Sequence, residues 1–197
     1  MRASSHRLII GIALAFALLP AGLARADKVD DFKQAAGKSG CEAIPYSSEK
    51  GTCKGKQSHK DSVCKGFGCE RPEAEKLLGK LKEKRKNLAD AKSRNNQSAV
   101  PGLEHDINEL LVRLEKLRSD AKQKIGVCEN CIKAREEVQK VFGAVKSKVA
   151  AERDPVLKQY IDTLVAHYEK GAKEHEDPIK QVNAALTHCK WVSSMSF

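Results

Sequence analysis

Seven cysteines, at positions 41, 53, 64, 69, 128, 131 and 189, hold most of the reactive chemistry in this 197-residue sequence. Cys128-Glu129-Asn130-Cys131 is a CxxC motif, and four chemistries use one. Covalent haem attachment requires histidine directly after the second cysteine, where Ile132 stands. A thioredoxin-like dithiol sits where a strand meets a helix N-terminus, so that the helix dipole lowers a thiol pKa. Here the motif falls inside a long helical pattern. A zinc site built from Cys64, Cys69, Cys128 and Cys131 needs four thiolates kept reduced. Structural disulfides need only an oxidising compartment.

The N-terminus specifies that compartment. Arg2 and Arg7 precede an apolar run of twelve residues, Leu8 to Leu19. A transmembrane helix needs about 20 apolar residues. Pro20 and Gly22 break the run, and Ala24-Arg25-Ala26 has the small-x-small form of a cleavage site. Residues 1–26 therefore read as a secretory signal peptide, with no transmembrane anchor left after cleavage. A periplasmic or secreted location follows, with a bacterial origin favoured. On a eukaryotic route, Asn96-Gln97-Ser98 becomes a glycosylation acceptor.

In an oxidising compartment the cysteines read as bridges. Cys41, Cys53, Cys64, Cys69, Cys128 and Cys131 are the disulfide candidates, and the odd count leaves one thiol over. Cleavage also lowers the charge. The whole chain has 36 Lys+Arg against 26 Asp+Glu; without Arg2, Arg7 and Arg25 the balance is 33 minus 26, or +7, over 171 residues (197 minus 26).

The remaining side chains form no recognisable catalytic constellation. The sequence lacks a Gly-x-Ser-x-Gly elbow, a His-Glu-x-x-His helix, a phosphate loop and a calcium loop. His167 and His175 lie eight residues apart, with Glu174 and Glu176 beside them. They read as a solvated mixed-charge face rather than a metal site. No enzyme activity, metal or cofactor is expected. The densest charge is Lys80, Lys82, Lys84, Arg85 and Lys86, a basic surface suited to a protein or an anionic envelope component. No nucleic-acid partner is expected.

The elements that must position these groups are helical. Residues 27–70 form a Cys-rich N-terminal module, poor in apolar residues and in need of covalent staples. It contains a short helix around Val29 to Ala36. Residues 71–197 form a helical coiled-coil domain. Pro72 opens one helix, with Ala74, Leu77, Leu81, Leu88 and Ala91 on its inward face. Leu103, Ile107, Leu110, Leu114, Leu117, Ala121, Cys128, Cys131, Val138, Phe142, Val145 and Val149 keep a 4,3 spacing, interrupted only at Lys124 and Arg135. That register predicts one continuous helix through Gly126. The alternative is a four-helix bundle broken near Gly126. Asp154-Pro155 and Asp177-Pro178 are restart signals. Lys76–Arg85 and Glu109–Arg118 share a similar pattern, as two helices facing one seam would.

The predicted fold is therefore all-α: an elongated antiparallel hairpin or three-helix coiled coil with a small disulfide-rich N-terminal segment. Folding the helices about their turns puts Cys64 and Cys69 near Cys128 and Cys131, while Cys41 and Cys53 close their own loop. Cys189 falls opposite about residue 117, about 16 Å from Cys128 along the axis. This makes Cys189 the expected unpaired thiol and one route to an oligomer, through a bridge between chains; the coiled coil is a second. The expected function is an exported, non-enzymatic binding, scaffolding or chaperone-like protein of the cell envelope. The alternative is thiol-disulfide redox or metal handling through Cys128 and Cys131.

Overall fold

The computed structural model describes residues 21–197, so the expected signal peptide lies outside them except for its last six residues. Among the described residues every regular element is helical. The α-helices are α1 (Ala21–Ala36), α2 (Ser47–Val63), α3 (Arg71–Ser93), α4 (Val100–Ala150), α5 (Lys158–Lys173) and α6 (Glu176–Ser193). Short 3-10 turns at Gly40–Ala43 and Pro155–Leu157 punctuate the connections.

Helix α4 is the spine, 51 residues long and unbroken at Gly126. Its inward row buries Ile107, Leu110, Leu114, Ala121, Cys128, Cys131, Val138, Phe142, Val145 and Val149. Leu103 and Leu117 are only half-buried, and Ala134 takes the inward place beside Arg135. A fully buried Val or Leu contributes about 1.5–3 kcal/mol, against about 1 kcal/mol lost per helical glycine. The inward row therefore outweighs Gly126 and Gly143.

Helices α2, α3, α5 and α6 lie along α4 and run against it, whereas α1 packs on α5 and the two 3-10 turns. For α2, Glu49 pairs with Lys148, Lys56 with Glu137 at 2.9 Å, and Cys64 is bonded to Cys131. For α3, Arg113 reaches Glu73 at 2.8 Å and Lys84 reaches Asp106 at 2.7 Å. For α5 and α6, Lys146 meets Glu169 at 2.7 Å, Lys190 meets Glu129 at 3.7 Å, and Arg118 donates to the Met195 carbonyl at 3.4 Å. In each case partner numbers fall as the helix's own numbers rise.

Local chemistry sets the turns. After α3, Asn95 takes a left-handed conformation (φ 58°). Its N–H donates to the Lys92 carbonyl at 3.2 Å, and the Asn96 N–H donates to that of Ala91 at 2.9 Å. Asparagine tolerates this backbone well, and the paired bonds satisfy carbonyls the helix end would strand. Asp154 caps the next start, its side chain accepting from the Val156 N–H at 3.0 Å, with Pro155 in the first turn. Asp177 and Pro178 fall in the first turn of α6.

Helix α2 is the element the sequence concealed. The segment 47–63 contains Gly51 and Gly55, and only Cys53 and Lys60 on it are buried, seven residues apart. Hydrophobic periodicity has almost nothing to register there. Covalent and ionic ties to neighbours hold the helix instead: Cys53 is bonded to Cys41, and Lys56 and Glu49 pair with α4.

Three apolar clusters follow one another along α4. At its C-terminal end, Phe32 of α1, Ile44, Val145, Leu164 and Tyr168 pack together. The Tyr168 hydroxyl donates to the buried Ala43 carbonyl at 2.6 Å. Glu152 accepts there from Lys28 at 2.7 Å and Tyr46 at 2.9 Å. Burial pushes the Glu152 carboxyl up, but those two hydrogen bonds pull it further down, below the usual carboxylate range. The central cluster contains Cys128, Cys131, Val182, Leu186 and Cys189. Towards the start of α4, Leu77 and Leu81 meet Leu110 and Leu114. This is the shared seam that makes segments 76–85 and 109–118 alike. Val192, Met195, Trp191 and Phe197 join this cluster from the C-terminal tail.

Candidate functional site

The cysteines converge on the middle of α4. Cys64 is bonded to Cys131, Cys69 to Cys189, and Cys41 to Cys53. Cys128 is the free cysteine, fully buried in the central cluster. Two expectations need correction. Cys189 is not the unpaired thiol, so it is not available for a bridge between chains. Of the CxxC pair, only Cys131 ties the N-terminal segment to α4.

The cause is axial bookkeeping. Symmetrical folding about the last turn places Cys189 beside Leu117. Residues 151–157 and the joint at Glu174–His175 instead use up chain without advancing along α4. Cys189 consequently arrives where its neighbour Lys190 meets Glu129. There it is within a Cα–Cα distance of 5.2 Å of Cys69.

This pairing also bears on redox and metal chemistry. Cys131 is engaged with Cys64, so Cys128 and Cys131 do not form a dithiol. The four sulfurs of the imagined zinc set are divided between two bridges and a lone thiol. Among the described residues, no group of three or more His, Cys, Asp or Glu side chains is arranged to hold a metal ion.

The basic run lies on α3. This helix carries eight basic and four acidic side chains, a net +4 (8 minus 4) within 23 residues. That is more than half of the +7 (33 minus 26) borne by residues 27–197. Lys84 is spent on Asp106, Lys92 on Glu104 at 2.9 Å, and Arg71 on Glu75 at 2.8 Å. Lys76, Lys80, Lys82, Arg85 and Lys86 are exposed and make no ion pair among the described residues. At 3.6 residues per turn, Lys82 and Lys86 lie on the side away from Leu77 and Leu81, with Lys80 and Arg85 on opposite flanks. The cations thus wrap the outer surface of α3 between Lys76 and Lys86, with Glu83 the only acid in that stretch.

A second concentration of charge lies in a cleft of about 580 Å³ between α2, α4 and the joint after α5. Lys60 comes from α2, Arg135 from α4, and His175 from the joint. Lys60 is only 9% exposed and His175 only 8%. The histidine departs from the solvated face expected of it. Helix α5 ends at Lys173, and the change of direction at Glu174–His175 swings the imidazole inward against Phe142, with ring centroids 6.5 Å apart. Burial first, then Lys60 and Arg135, lower the His175 pKa and favour the neutral ring. His167 is held separately, its Nε2 accepting from the Gly40 N–H at 3.0 Å. Sequence reasoning missed this cleft because its three basic groups lie on segments far apart in the chain. Arg135 was the one signal, as a charge interrupting an apolar register.

Comparison with protein-family models, curated proteins and solved structures finds no match to this chain.

Proposed function

We propose that this chain is an exported, non-enzymatic binding or scaffolding protein of the cell envelope. In this reading it is a disulfide-braced bundle of helices around α4, and the outer surface of α3 engages an anionic partner. The observation that carries the reading is the set of uncompensated cations on α3: Lys76, Lys80, Lys82, Arg85 and Lys86. Like charges held close together raise the local potential and speed encounter with an anionic surface. The five repel one another, and none of them is ion-paired among the described residues.

The antiparallel contacts support an elongated coiled arrangement of three rods: α2 with α3, α4, and α5 with α6. The C-terminal tail packs beside Arg118, where Phe197 lies under the guanidinium at 5.0 Å. The outer part of α3 and the first turns of α4 then form a projecting hairpin that carries most of the free cations. Export is supported by the three disulfides, since such bonds persist in oxidising compartments. No helix among the described residues is long and apolar enough to cross a membrane.

Photocrosslinking in the native envelope tests the reading. A crosslinker at position 82 is expected to capture a specific acidic protein or anionic polymer. Capture no stronger than from position 140, an exposed lysine on α4, contradicts it.

A further inference from the structure

We propose that the cleft between α2, α4 and the α5–α6 joint binds an oxyanion, the phosphate, sulfate or carboxylate group of a small molecule, through Lys60, Arg135 and His175. This site is separate from the α3 surface and does not depend on the function assigned to it.

Unmet hydrogen-bonding capacity marks the site. The Arg135 Nε and the His175 Nδ1 are buried without a protein partner. Buried polar atoms are nearly always bonded, and each unbonded one costs about 1–3 kcal/mol. Arg135 also has no carboxylate partner among the described residues. A guanidinium offers five donors and an ammonium three. Lys60 uses its ammonium on Asp61 at 2.9 Å, an exposed neighbour in its own helix. Three elements thus direct basic groups at one cleft, and their own segments absorb only part of the donor capacity.

Charge is also sorted by depth. The carboxylates at the cleft, Glu42, Asp61 and Glu174, are exposed, whereas Lys60 and His175 are buried and Arg135 is half-buried. Glu42 is occupied by Lys54 at 2.5 Å, and Asp61 by Lys60. At the His175 ring, the effects of Lys60 and Arg135 exceed those of Glu174 and Asp61. The basic side chains of the cleft are therefore less exposed than its carboxylates. An oxyanion placed there accepts from Arg135 and Lys60 and from the imidazole N–H, which are charge-assisted bonds of the stronger kind. The volume exceeds that of one inorganic ion and falls in the range of small-molecule pockets. The Phe142 ring forms an apolar wall for the rest of the molecule.

The test is an NMR titration of the disulfide-intact protein, following the His175 imidazole as inorganic phosphate, sulfate or acetate is added. Saturable movement of His175 with at least one of the three is expected. Arg135→Gln should weaken the binding at least tenfold (about 1.4 kcal/mol), whereas Lys82→Glu on α3 should leave it unchanged. Ranking the three ions shows which head group the site prefers. No saturable shift at His175 with any of them, as for a cleft filled only by water, overturns the proposal. So does equal affinity in Arg135→Gln. Should that variant not fold, the titration of the unmutated protein decides alone.

Discussion

Cys69, just before α3, is bonded to Cys189 in the last turns of α6, across 120 residues of sequence. This bond ties the segment before α3 to α6, and Cys64–Cys131 ties the segment after α2 to α4. In the chain-entropy account, stabilisation grows with the closed loop. Replacing Cys69 and Cys189 together by alanine should therefore cost about 5 kcal/mol, and replacing Cys41 and Cys53, whose loop spans 12 residues, about 3 kcal/mol. Chemical denaturation of the two double variants measures the order. A larger loss from the short loop would count against the pairing.

Cys128 should be silent in the folded protein. It is fully buried beside two bridges, so a thiol reagent reaches it only on unfolding. One titratable thiol is expected in denaturant and none before, with peptide mapping giving the three pairs found here. Two or more reactive thiols in the native protein would revive the redox alternative.

The sequence disclosed α4, its unbroken passage through Gly126, and the starts at Pro72 and Asp154, because long apolar registers and caps are local signals. It did not disclose α2, whose two buried side chains, Cys53 and Lys60, leave no periodicity to detect. It misjudged Cys189 and His175 for a shared reason. Both depend on how much chain the 151–157 connection and the 174–175 joint consume, which is a property of tertiary packing. The α3 cations were readable as a run, but the loss of Lys84 to Asp106 was not.

Two titrations shape the pH dependence of stability. The folded-state pKa of His175 lies below its usual 6.5. The unfolded chain therefore takes up the proton first. Stability should be complete above about pH 6.5 and decline as pH falls below it, until the buried ring itself protonates. The groups facing this ring are Lys60 and Asp61 from α2, Arg135 from α4, and the adjacent Glu174. Glu152 acts lower on the scale. Its depressed pKa adds stability above the usual carboxylate range, and that stability is lost as pH falls through the folded value. Urea midpoints between pH 7.5 and 5 (chosen to bracket about 6.5) should fall less in His175→Gln than in the unmutated protein. An identical fall in both would show that the imidazole is not held neutral.

The glycines separate packing from propensity. An added Cβ at Gly126 or Gly143 meets nothing within 4 Å, so alanine there should stabilise α4 by about 0.5–1 kcal/mol. At Gly171 the same atom comes within 3.3 Å of the Phe142 ring. That ring is confined between Tyr168 and His175. Gly171→Ala should consequently cost about 1 kcal/mol, its gain in helix propensity overridden by crowding. Thermal melts of the three variants give the signs directly.

The functional reading stands or falls on the cations of α3. On the proposed export route, the most direct measurement is binding of residues 27–197 to the cell-envelope fraction across a range of salt concentrations. It should compare the unmutated chain with Lys80→Glu, Lys82→Glu, Arg85→Glu and Lys86→Glu combined. A control with Lys122, Lys133, Lys140 and Lys158 reversed changes the net charge equally at exposed positions outside α3. Binding that weakens with salt, falls on the order of tenfold or more in the α3 variant, and survives largely in the control is the predicted result. Equal binding by the α3 variant and the unmutated protein, or equal loss in variant and control, would contradict the assignment of binding to this helix.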